Sequence, residues 1–165
     1  MVSREAPVYR EWSPWAGWIT IVFWGTMILA LVALATSGDE PHNERVLGAI
    51  ILAVVGVVIH WMLAGLTVRL YRDDMEMSLG RVPLIRKRVR YEDILDLQSV
   101  TYRPLMEFGG WGVRFRGQKK AWTARGNHAV VLHLSDGTQL YVGSDHAHRL
   151  EERIRTVAGT RIGPS

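Results

Sequence analysis

Two apolar runs lie almost back to back near the start of this sequence, and they restrict its possible folds more than any other feature. The first covers residues 15–36 and the second residues 46–68, and neither holds an Asp, Glu, Lys or Arg. Roughly 20 helical residues, at about 1.5 Å each, cross a hydrocarbon core of about 30 Å. Each run therefore reads as a membrane-spanning helix, with residues 37–45 as a short polar connector. The first run is too long for the apolar core of a signal peptide and lacks a strongly basic leader. A second run follows at once, so the first is expected to be retained as an anchor.

Charge orients the hairpin. Of 20 Lys and Arg, only Arg4, Arg10 and Arg45 precede residue 69, which leaves 17 beyond the second run. The connector sets Asp39, Glu40 and Glu44 against Arg45 alone. Positive flanks stay on the cytoplasmic side. The expected topology is a multi-pass protein of the plasma (inner) membrane. Residues 1–14 form a cytoplasmic tail, residues 37–45 an external loop, and everything from residue 69 onward is cytoplasmic. Pro14 suits the first turn of the first helix. Trp12, Trp15 and Trp18 gather at its cytoplasmic end, where indoles favour the headgroup boundary. Small residues allow close backbone approach: Gly48, Ala49, Ala53 and Gly56 on the second helix, Gly25, Ala30 and Ala33 on the first.

Beyond residue 66 the apolar period changes from helical to alternating. Strands are expected at residues 68–72, 75–79, 87–91 and 94–102, with Asp73-Asp74 as the first turn. A glycine-rich loop at 108–112 leads to short strands at 113–115 and 121–123. The clearest hairpin joins 128–134 to 139–142 through Ser135-Asp136-Gly137, because Asp-Gly between alternating runs favours a tight turn. Ala147, Leu150, Ile154 and Val157 then recur at helical spacing, with Ser144 or Asp145 as a cap and Gly159 as a stop. The fold class is an α+β membrane protein. A transmembrane helical hairpin at 15–68 precedes a small antiparallel sheet or partly open barrel at 69–158, closed by a carboxy-terminal amphipathic helix, and 159–165 form a tail.

Three stretches carry a resemblance: LGRVPLIRKRVRYEDI at 79–94, YRPLMEFGGWGVRF at 102–115 and VVLHLSDGTQLYVGS at 130–144. In these the chain resembles bacterial membrane proteins with a pleckstrin-homology-like (PH-like) domain, in which an amino-terminal pair of spans is a frequent companion. The string from Gly109 to Arg114 is the most specific piece. The resemblance implies a PH-like fold from about residue 69 to 157 and supplies no reaction, since PH-like folds serve many binding tasks.

Candidate site residues follow from charge and position. Arg86, Lys87, Arg88 and Arg90, with Arg69 and Arg72 just past the second helix, are candidates for anionic headgroup contact. Each such cation near an anionic leaflet is worth about 1 kcal/mol. The competing reading is a solvated edge strand whose charges discourage aggregation. Trp111, Arg114 and Trp122 are candidates for a protein interface, since Trp and Arg make strong anchors there. Gly109-Gly110-Trp111-Gly112 lacks phosphate-loop spacing and reads as a tight bend. His60 is an ionisable group inside the second span and a functional candidate by default, with Thr20 or Thr26 as reachable partners.

Other chemistry finds little footing. The chain has no Cys, which excludes disulfides, thiolate metal sites and thiol catalysis. His146 and His148 diverge on a helix, His128 and His133 face opposite sides of a strand, and no nucleophile elbow occurs. Arg114, Arg116, Lys119, Lys120 and Arg125, interleaved with Trp111, Phe115 and Trp122, resemble a nucleic-acid surface that membrane tethering disfavours. No cofactor, metal, nucleic acid or small-molecule substrate is indicated. The expected protein is a non-enzymatic docking module. Its partners are membrane lipids and either a larger membrane complex that it serves as an accessory subunit or further copies of itself. The alternative is a component of a transporter or membrane enzyme that uses His60.

Overall fold

The computed structural model describes residues 6–36, 41–63, 65–80 and 85–163. Residues 37–40 of the expected connector and the proline loop at 81–84 lie outside the described residues, and α2 already begins at His42 within that connector. The first strand, β1, is Tyr9–Pro14, and two helices follow, α1 (Gly17–Thr36) and α2 (His42–Leu63). Both helices are long and apolar enough to cross a membrane. They pack through the small residues of α2. A Cβ on Gly56 would collide with Met27 Cε, and one on Gly48 would fall 3.4 Å from Leu34 Cδ2. Gly25 meets nothing within 4 Å, so the expected contribution of that glycine to the seam is not observed.

The segment ahead of α1 departs most from the sequence reading. Residues 1–14 read as a tail, yet Tyr9–Pro14 form a strand paired antiparallel with β2 (Gly65–Leu70), with Pro14 opposite Gly65 and Tyr9 opposite Leu70. Pro14 therefore ends a strand instead of opening a helix. The physical cause is the hairpin itself. Antiparallel helices bring their free ends together, so the flanking segments emerge side by side and satisfy each other's backbone groups. The second helix correspondingly stops at Leu63, short of the expected residue 68. Gly65 makes the passage from helix to strand: its φ is +157°, and a Cβ there would lie 2.6 Å from the Ser13 carbonyl oxygen.

The remaining elements are β3 (Asp74–Leu79), β4 (Ile85–Arg90), β5 (Ile94–Thr101), α3 (Pro104–Phe108), β6 (Gly112–Arg116), β7 (Lys119–Thr123), β8 (His128–Leu134), β9 (Gln139–Gly143) and α4 (Ala147–Ala158). They form two sheets. Sheet A has the order β1-β2-β3-β4 and sheet B the order β5-β8-β9-β7-β6. All described pairings are antiparallel except β7 with β9, which is parallel and corrects the purely antiparallel expectation. In the β8–β9 turn, Gly137 has φ +79° and Thr138 N–H donates to Asp136 Oδ1 at 2.8 Å.

The main core lies between the sheets. Val68 and Leu70 of β2, Met75 and Met77 of β3, Leu132 of β8 and Leu140 of β9 are all buried in it. Leu150 and Ile154 of α4 close it from one side. The Ser144 Oγ accepts from His146 N–H at 2.9 Å just ahead of α4, while the Gly159 N–H donates to Arg155 O at its end. A second cluster, Tyr102, Phe108, Ala121, Ala129, Val131 and Tyr141, lies on the opposite face of sheet B. The short helix α3, in a stretch to which the sequence pattern assigns no element before the loop at 108–112, covers that face. Gly109 ends it with φ +71°, and the Gly109 and Gly110 N–H groups donate to Leu105 O and Pro104 O.

Candidate membrane-facing site

Both helices attach to the same end of sheet A, where Pro14 lies opposite Gly65, Leu66 opposite Leu79, and Leu79 opposite Ile85. This end grades the headgroup candidates by distance. Arg86 is opposite Ser78, one residue in from the end, whereas Arg90 is opposite Asp74 at the far end. Four residues of strand separate those two arginines by about 13 Å. Arg72 lies in the far-end turn between β2 and β3.

Partners sort the same residues further. Across the outer face of sheet A, Arg69 lies opposite Glu76, which lies opposite Arg88. Glu76 is buried and accepts from Arg69 Nη1 at 3.4 Å and from Arg88 Nε at 3.0 Å. Arg69 also donates to Ser78 Oγ at 3.1 Å. Arg90 is bound to Glu92 at 2.6 Å and to Asp93 at 3.4 Å. Lys87 points the other way, opposite Met77, into a cleft with Ser135 and Asp136. Burial and the neighbouring Lys120 lower its ammonium pKa. Arg86 is exposed and makes no ion pair among the described residues. Of the six candidates it is the one nearest the helices with its charge unspent.

The three expected interface residues are pulled apart. Trp122 is only 4% exposed and belongs to the core, so its assignment to a partner surface is corrected: on β7 it alternates with Ala121 and points inward between the sheets. Trp111 donates from Nε1 to Gly126 O at 2.8 Å and sets its ring edge-on against Trp18 of α1, with centroids 6.0 Å apart. Arg114 stands exposed beside it on β6. Trp111 and Arg114 line a cleft of about 510 Å³ whose other wall is α1, from Trp18 to Thr26. Nothing in the local sequence announced this pairing, because Trp18 and Trp111 are distant in the chain. The three amino-terminal tryptophans also divide: Trp15 packs on the core, Trp18 faces Trp111, and the Trp12 indole lies over Gly65.

His60 sits against the rings of Phe23 and Trp24, with centroids 6.0 and 5.5 Å away. Its Nδ1 is buried without a hydrogen-bond partner among the described residues. Thr26 spends its hydroxyl on the carbonyls of Val22 and Phe23 and does not supply the expected bond. The fold brings His128, His146 and His148 around one cleft with Ser99 and Thr101, which spacing alone did not suggest. Ser99 Oγ and His148 Nδ1 are 2.7 Å apart there, yet no trio of His, Asp or Glu among the described residues could hold a metal ion. Two other basic residues of the β6–β7 region are held by the fold. Arg116 donates to the carbonyls of Met106 and Glu107, and Arg125 pairs with Asp145.

Comparison with models of known protein families finds no match, and comparison with curated proteins likewise finds none.

Proposed function

We propose that the protein is a non-enzymatic docking module anchored in the plasma membrane, with a PH-like domain on the cytoplasmic side. It serves as an accessory subunit of a larger membrane complex or as a scaffold for anionic lipid and protein. The observation that carries this reading is the direct continuation of α1 and α2 into β1 and β2. Two residues join β1 to α1, and a single residue joins α2 to β2. With both strands tethered this closely, the module cannot leave the headgroup layer if the helices span. Support also comes from Arg86 near that end. Among the described residues, the most exposed large apolar side chains of the module, Leu105, Met106 and Phe115, lie on α3 and β6, and Leu105 lines a cleft with α1.

Two measurements test this. Hydrogen exchange of the full chain in nanodiscs should show protection of β4 around Arg86 when phosphatidylglycerol replaces phosphatidylcholine, and the protection should fade with salt. Equal exchange in both lipids rejects headgroup docking. Mild-detergent extraction should yield a stoichiometric larger assembly, and a monomer in every detergent rejects the accessory-subunit role.

A second reading rests on the orphaned His60 Nδ1. A buried polar atom without a partner costs stability unless something supplies one, and a proton path or a neighbouring helix would do so. His60→Leu separates the two readings: unchanged activity of the host membrane at unchanged abundance retires it.

A further inference from the structure

The cleft between α1 and the α3–β6 corner has two unlike ends. Ile19, Val22 and Phe23 give it a hydrocarbon wall on α1, and Leu105 of α3 faces them. The Trp18–Trp111 pair and the exposed Arg114 make the remainder aromatic and cationic. Its volume of about 510 Å³ falls within the range of small-molecule pockets. From Trp18 to Thr26 the helix rises about 12 Å, a depth that reaches from headgroups into acyl chains. The exposed Arg114 guanidinium makes no hydrogen bond or ion pair among the described residues. Val22 is 55% exposed, and the cleft runs without a break into the outward face of α1.

Resting on the membrane reading above, we infer that this cleft holds one anionic phospholipid, its phosphate on Arg114 and an acyl chain along Ile19, Val22 and Phe23. The continuity with the lipid-facing flank of α1 selects a lipid over a soluble ligand. The guanidinium selects an anionic headgroup, since Arg presents a planar fork to phosphate oxygens. The two indoles sit where aromatic rings favour the headgroup boundary.

The test is native mass spectrometry of the full chain released from detergent, titrated with phosphatidylglycerol or phosphatidylcholine. One phosphatidylglycerol should stay bound per chain, and Arg114→Gln should weaken its retention about fivefold while leaving phosphatidylcholine unchanged. Val22→Trp fills the cleft without changing charge and should lower retention of both lipids. Both positions are exposed, so the fold should tolerate each change. Arg86→Gln, read in parallel, separates lipid held in the cleft from headgroup docking at sheet A. If Arg114→Gln and Val22→Trp retain lipid as the parent does while Arg86→Gln does not, the cleft assignment fails and headgroup docking survives. If the parent chain retains the two lipids equally, both fail. Should Val22→Trp instead release a co-purifying polypeptide at unchanged lipid retention, the cleft belongs to a partner's helix and the lipid assignment is overturned.

Discussion

Sheet A and sheet B each turn one face to the shared core and must do something with the other. Sheet B covers its outer face with a lid, laying Phe108 of α3 on Tyr141 and Tyr102 with centroids 5.0 and 6.1 Å apart. Sheet A leaves its outer face polar and runs a row of charge across it, Arg69 to Glu76 to Arg88. An apolar lid stabilises by removing hydrocarbon from water. A carboxylate between two arginines mostly offsets its own desolvation, and such a row holds strands in register. The two outer faces are therefore held by different forces, apolar burial on sheet B and a shared carboxylate on sheet A.

Breaking the lid should have the largest effect. Phe108→Ala should lower stability by about 3 kcal/mol, read from thermal unfolding of the full chain in detergent. A loss near zero would mean that α3 merely rests on the sheet. Next comes the charged row. Glu76→Gln leaves Arg69 and Arg88 without their shared carboxylate, and because Arg88 is half-exposed the expected loss is about 2 kcal/mol. If Glu76→Gln costs more than Phe108→Ala, the contrast between the sheets is reversed.

A pH titration sharpens the comparison at the joint between α4 and sheet B. Burial raises the Glu151 carboxyl, but the Ser99 N–H at 2.8 Å and Arg155 outweigh it and hold the carboxyl below its ordinary value. A carboxylate lowered in the folded state contributes stability above its unfolded pKa and loses it as pH falls through the folded one. The parent chain should therefore weaken in acid, while Glu151→Gln starts about 1 kcal/mol lower near neutral pH and shows a shallower acid limb. Identical acid limbs would remove Glu151 from that joint. Arg86→Gln should have the smallest effect on folding, within about 0.5 kcal/mol, because the residue is an exposed surface charge. A larger loss would show that Arg86 itself helps hold the charged face together.

Elements whose signals are local were legible in the sequence. The two long apolar helices needed only composition and length, the β8–β9 hairpin only its Asp-Gly turn, and α4 only the spacing of Leu150 and Ile154. The site was legible in part. Trp111 and Arg114 were noticed for their chemistry, but their partner on α1 was not, and Trp122 was placed outside when strand alternation on β7 turns it inward. The lid was missed because α3 is five residues long, too short for a helical period to appear.

The amino-acid sequence by itself determined that two helices can span a bilayer and that a β-rich module with one amphipathic helix follows them. Only the tertiary structure decided that Tyr9–Pro14 is a strand, that β7 and β9 run parallel, and that α1 walls a cleft with the α3–β6 corner. Periodicity and turn chemistry act over a few neighbouring residues and can be read there. Strand pairing and the meeting of distant rings are settled by which ends the packed hairpin and core bring together, and that information is carried by no single segment.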